Sequence, residues 1–183
     1  MRYFIGFLIT IGLIVLIFVL LLSGGHSGVT TPPLQLVTYA NSNADAQLVI
    51  DGPISGEQTH REIQIDVNQT AATFTLYQGY QKTIISTQTF ANNTGGFGVF
   101  LQGLQRANFT KGNDDKSLSD ERGYCPTGER YIMTLSNNGH NVVRYWATTC
   151  GQGTFKGTLQ NVLFLFRQQI PDYGTLTNDL SLN

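Results

Sequence analysis

His26, His60 and His140 are the three imidazoles of this 183-residue chain, and imidazole is the side chain best suited to moving protons near neutral pH. A hydrolase would need one of them beside a nucleophile and an orienting carboxylate. The local sequence offers no such setting. His26 lies in a Ser/Gly-rich stretch, His60 just before a strand and His140 at a hairpin tip, positions that read as solvated polar residues. Nor is there a nucleophile elbow, because Gly52-Pro53-Ile54-Ser55-Gly56 sets its serine one place late for Gly-x-Ser-x-Gly. Acid–base chemistry here would require residues gathered from distant loops.

The two cysteines, Cys125 and Cys150, show no Cys-x-x-Cys spacing and no nearby histidine pair, so neither a zinc set nor a redox thiol pair is present. They read as one disulfide, as expected for an exported domain. Asp114, Asp115, Asp120 and Glu121 concentrate acid in one segment, without the spacing or central glycine of an EF-hand, and read as a solvated loop. The glycine-rich stretches Asn93–Gly98 and Gly151–Gly157 lack the Gly-Lys-Ser/Thr ending of a phosphate loop; the first reads as a helix entry and the second as a turn. No residue set proposes a metal, a cofactor or a catalytic centre. Net charge is −1 and the basic residues are scattered singly, which excludes the electrostatic footprint of a nucleic-acid binder. Charged residues make up only 13% of the chain, so the surface is built largely from Asn, Gln, Thr, Ser and Gly. Against that surface, aromatic and arginine side chains are the groups that anchor interfaces. Tyr77, Tyr80, Tyr124 and Arg144 are therefore the candidate contact residues, with ordinary sheet packing as the competing use of each.

The elements that must position these residues follow from periodicity. Apolar–polar alternation over Leu34–Tyr39, Ala46–Ile50, Glu62–Val67, Thr73–Tyr77 and Lys82–Phe90 predicts strands, punctuated by Asp51-Gly52-Pro53 and Gly79. Phe97, Phe100, Leu101 and Leu104 change the period to that of a helix, capped by Asn93 or Thr94 and ending near Asn108. A polar loop from Thr110 to Arg122 leads to Glu129–Ser136 and Asn141–Thr149, which flank an Asn138-Gly139 hairpin turn. Regular pairing from that turn sets Asn137 opposite His140, Leu135 opposite Val142, Met133 opposite Arg144 and Tyr131 opposite Trp146. Tyr131, Met133, Leu135, Val142 and Trp146 then share the core face. The same register puts Cys150 opposite Thr127 with Cys125 diagonal to it, within reach of a bridge. Leu159, Val162, Leu163, Phe166 and Ile170 form a second helical stripe, stopped by Pro171.

The N-terminus carries a different signal. Tyr3 to Leu22 is an uncharged apolar run of bilayer-spanning length. Arg2 precedes it and the next basic residue is Arg61, so the positive-inside rule places the N-terminus in the cytoplasm and the rest outside. Cleavage at Ser23-Gly24-Gly25 is the competing reading, although the run exceeds a signal peptide's apolar core. Gly6-Phe7 before a long apolar helix resembles the start of a type IV pilin-like subunit, which implies cleavage after the glycine. Those helices carry a glutamate four residues after the phenylalanine, where this chain has Ile11.

The expectation is an α+β protein: a transmembrane anchor over residues 1–22, a linker over 23–33, and an extracytoplasmic domain over 34–183. That domain is a mostly antiparallel sheet with two amphipathic helices on one face and a Cys125–Cys150 disulfide. The anchor's partner is the lipid bilayer, through residues 3–22. The expected function is a scaffold or binding module of the cell envelope, with an envelope protein or glycan as ligand. The alternatives are an envelope hydrolase whose site is assembled from loops, and a protease-inhibitor-like module offering the 110–124 loop.

Overall fold

The computed structural model describes residues 11–17 and 34–178, in two compact units that divide at Pro33. In the first unit, Ile11 to Ile17 are helical and their large apolar side chains are exposed. The remainder of the Tyr3–Leu22 run, the Gly6-Phe7 opening and the linker lie outside the described residues. Among the described residues no helix is long and apolar enough to cross a membrane.

The second unit is an α+β domain built on a six-stranded antiparallel sheet. Strands β1 (Ala44–Asp51), β2 (Arg61–Asn68), β3 (Ala71–Gln78) and β4 (Thr83–Ala91) form a meander. Helix α1 (Thr94–Arg106) follows, then the hairpin β5 (Arg130–Asn137) and β6 (His140–Thr148), helix α2 (Leu159–Arg167) and the short α3 (Tyr173–Thr177). The hairpin docks beside the first strand, giving the order β4-β3-β2-β1-β5-β6. Consequently β1 and β5, distant in sequence, are neighbours inside the sheet.

Alternation does the sorting. Ala46, Leu48 and Ile50 of β1, Ile63, Ile65 and Val67 of β2, and Phe74 of β3 are buried on one face, in one cluster with both helical stripes. From α1 come Phe97, Phe100, Leu101 and Leu104; from α2 come Val162, Leu163 and Phe166. Phe100 meets Phe166 edge to face at 5.1 Å, joining the two stripes. The Asn93 side chain caps α1 by accepting from the Gly96 N–H. At its other end Asn108 adopts φ 56° and the Phe109 N–H reaches back to the Leu104 carbonyl, a Schellman closure that seats the Phe109 ring in the core.

Two expectations are corrected. Leu34–Tyr39 is not a strand: Leu36–Tyr39 is a 3-10 helix. Its i→i+3 bonds run from Thr38 N to Gln35 O and from Ala40 N to Val37 O, and the Leu36 N–H donates to Gln105 Oε1 of α1. A single buried leucine and a helix-side acceptor outweigh the short alternation. The hairpin turn is as expected, with Asn138 at φ 51° and Gly139 at φ 78° and Asn137 opposite His140. Beyond it the pairing slips, because a bulge at Val142 puts Leu135 opposite Val143, Met133 opposite Tyr145 and Tyr131 opposite Ala147. One extra residue exchanges the faces of everything after it. Val143 and Tyr145 join the buried core with the partly buried Val142 packed against it, and Trp146 turns to the other side to pack with Val49 and Ile132.

Cys125 and Cys150 form the disulfide, with Cα atoms 5.7 Å apart. It closes the open end of the hairpin and holds the start of β5 to the segment after β6.

Candidate functional site

The sheet face opposite the helices combines the apolar cluster of Val49, Ile132 and Trp146 with polar side chains, which antiparallel register arranges in rows. In one row Tyr77, Glu62, Asp51 and Arg130 stand side by side on β3, β2, β1 and β5. Arg130 donates to Asp51 Oδ2 through Nε at 2.8 Å, with a second guanidinium nitrogen 2.6 Å from the same oxygen. It also donates to the Gly52 carbonyl at 3.3 Å. Glu62 accepts from Lys82 Nζ at 2.7 Å, and that ammonium lies over the Tyr77 ring at 5.9 Å. Glu62 and Arg130 are almost wholly buried, at 6% and 5% exposure. A charge so far from water persists only with a partner.

His60 joins this group from the turn before β2. Its Nδ1 lies 3.1 Å from the Pro53 carbonyl, which can only accept, so Nδ1 carries the proton. Its Nε2 lies 3.1 Å from Asp51 Oδ1, at ion-pair distance but without the alignment of a hydrogen bond. The ring stacks on Tyr80 at 4.3 Å and is 3% exposed. His60 is therefore buried and enclosed, not the solvated residue that its strand-end position indicates. One ring nitrogen is thus engaged by a carbonyl and the other lies against Asp51, in a ring that lines the cleft. His140, at the hairpin tip, is exposed.

Together these residues floor a cleft of about 360 Å³. Asp51, His60, Glu62 and Arg130 form its base, and Ile54, Gly79, Tyr80 and Lys82 one side. Glu121, Arg122 and Gly123 form the other. That second wall belongs to the 110–124 segment, which is tied down along its length. Arg144 donates to the Ser119 carbonyl and to Glu121, the Trp146 indole N–H donates to the Leu118 carbonyl, and the Tyr145 hydroxyl donates to Asp114. Four hydrogen bonds thus hold this segment against β6.

The four residues singled out from sequence take different places. Tyr80 lines the cleft and is 49% exposed, its hydroxyl donating to the Ser55 carbonyl and accepting from the Ser55 N–H. Arg144 holds the wall and borders an adjoining hollow of about 210 Å³ that also takes in Gln47 and Thr134. Tyr77 sits beneath Lys82, and Tyr124 packs on Trp146 at 4.8 Å. Sequence reasoning missed Asp51, Glu62, Lys82 and Arg130.

Farther along the same face, Asp45 and Asp66 approach one another. Partial burial, reinforced by the Asp66 charge and opposed by a hydrogen bond from Asn68, raises the Asp45 carboxyl from 3.8 to about 6. Between these values the folded protein holds a proton that the unfolded chain releases, so stability is lost as pH rises from about 4 to about 6. The interval corresponds to at most about 3 kcal/mol, reduced by solvent screening at a half-buried site to about 1 kcal/mol. Asp45→Asn is expected to recover that amount at pH 7 and to flatten the profile, as read by denaturant unfolding across pH 4–7.

The chain matches no protein family and no curated protein sequence.

Proposed function

We propose that the protein is a binding module of the cell envelope, held at the membrane by its N-terminal apolar run and presenting the Tyr80 cleft outside the cytoplasm. The observation that carries the reading is the cleft's construction: an exposed aromatic ring pinned in place above a floor of ion-paired, largely buried charges. Such a surface is pre-organised to receive a ligand with little rearrangement, which is what a recognition site requires. The anchor is supported by the length and charge of residues 3–22 and by the following basic residue lying as far on as Arg61. The disulfide is of the kind that oxidising compartments outside the cytoplasm sustain.

Crosslinking the full-length chain in intact cells, with residues 1–33 alone as control, tests the reading. The membrane fraction is expected to yield the intact mass of the uncleaved chain together with envelope material absent from the control. A mass beginning near Gly24 would remove the anchor, and captures identical to those of the control would remove the binding role.

A further inference from the structure

We infer that the cleft takes a neutral oligosaccharide, with one sugar ring lying on the open face of Tyr80 and further units running over the sheet face opposite the helices. This rests on the binding reading above and names its ligand class. Three observations converge on it.

Tyr80 offers a surface and nothing else. His60 covers one face of its ring at an interplanar angle of 16°, and its hydroxyl is already engaged in both directions by Ser55. What remains is a fixed π face, electron-rich, which suits the weakly positive C–H bonds on one side of a pyranose ring.

The charges around the ring are already paired with one another. Asp51 is matched by Arg130, Glu62 by Lys82, Glu121 by Arg144 and Arg122 by Asp120. A charged ligand seated on this floor competes with an existing pair, and Glu62 and Arg130 of those pairs are buried. A hydroxyl imposes no such demand. It donates to a carboxylate lone pair and accepts from a guanidinium or ammonium N–H while both pairs stay closed.

The hollow is elongated. The cleft and the adjoining 210 Å³ hollow share Asp51, Glu62, Lys82 and Glu121, and the second part is edged by the amide of Gln47 and the hydroxyl of Thr134. An aromatic seat that continues into a track bearing paired charges, the polar Gln47 and Thr134 and the apolar Val49 and Ile132 has the form of a site for linked rings, not for a single one.

The test uses the full 183-residue chain in lipid nanodiscs, free of sugar-headed detergents, titrated with triacetylchitotriose, cellotriose and maltotriose and followed by NMR line shifts. At least one trisaccharide is expected to bind saturably. Tyr80→Ala is expected to weaken it by about tenfold or more. Tyr80→Leu, which preserves apolar cover over His60 but lacks the π face, is expected to match the alanine variant, and Val99→Ala on the exposed side of α1 to leave binding unchanged. Sedimentation with insoluble envelope polysaccharide separates the sources: retention there without trisaccharide binding places the ligand in a longer polymer. Failure of every saccharide overturns the inference. If an uncharged peptide such as decaproline then binds with the same Tyr80 dependence, the binding module stands and the ligand class does not. Unchanged saccharide affinity in both Tyr80 variants would also overturn it.

Discussion

Arg130→Ala is expected to destabilise the domain by about 3 kcal/mol, at the lower end of the range for breaking a buried ion pair. The guanidinium is the main partner of Asp51, whose side chain is only 19% exposed. Its removal leaves that carboxylate on the row beside Glu62, a second acid. His60 offers Asp51 an ion-pair contact and no aligned hydrogen bond, so it compensates in part. The effect should be non-additive. Asp51→Asn combined with Arg130→Ala removes both charges at once, and the double variant is expected to be more stable than the sum of the single losses indicates. Urea unfolding at pH 7 of the four proteins of this cycle checks the claim. A loss below about 1 kcal/mol for Arg130→Ala would show that the cleft floor is not held by this pair.

Removal of the disulfide is expected to be comparably severe. Cys125 and Cys150 are 25 residues apart, and closing a loop of that size restricts the unfolded chain by about 3.5 kcal/mol in the entropy model. The double variant Cys125→Ser/Cys150→Ser should lose roughly that amount. A second consequence is local. Gly123 and Arg122, in the second wall of the cleft, immediately precede Tyr124 and Cys125, so release of Cys125 frees one end of that wall. Amide exchange in the 118–124 segment is expected to accelerate more than in the central strands β1 and β2 under conditions where the variant stays folded. Uniform acceleration across the domain would place the effect in global stability alone.

How much of this architecture sequence discloses depends on how local the cause is. The helical stripes of α1 and α2, the Asn93 cap and the Asn138-Gly139 turn all arise from residues within a few positions of one another, and they are legible. The Val142 bulge is not, because alternation carries no mark of an inserted residue. Its consequence, the exchange of Trp146 for Val143 and Tyr145 in the core, is large. The cleft floor is less legible still. Asp51 reads as turn punctuation beside Gly52 and Pro53, and its partner Arg130 lies 79 positions away. Their meeting depends on β5 docking against β1, a pairing that no short-range pattern specifies. His60 reads as solvated for the same reason, since its cover comes from Tyr80 and from the Pro53–Ser55 turn. Tyr80 stands out in sequence only as an aromatic residue that can remain exposed, and its seat at the cleft comes from the fold.

The central claim is that ligand meets the protein at the Tyr80 cleft. Placing a photoreactive residue at Ile54, which lines the cleft and is 55% exposed, tests this most directly in living cells. Val99, 70% exposed on α1 and outside the cleft, serves as the control position. The account predicts a discrete adduct from position 54, lost when Tyr80→Ala is introduced, and none of that mass from position 99. Adducts of equal yield from both positions, or from position 99 alone, would contradict it.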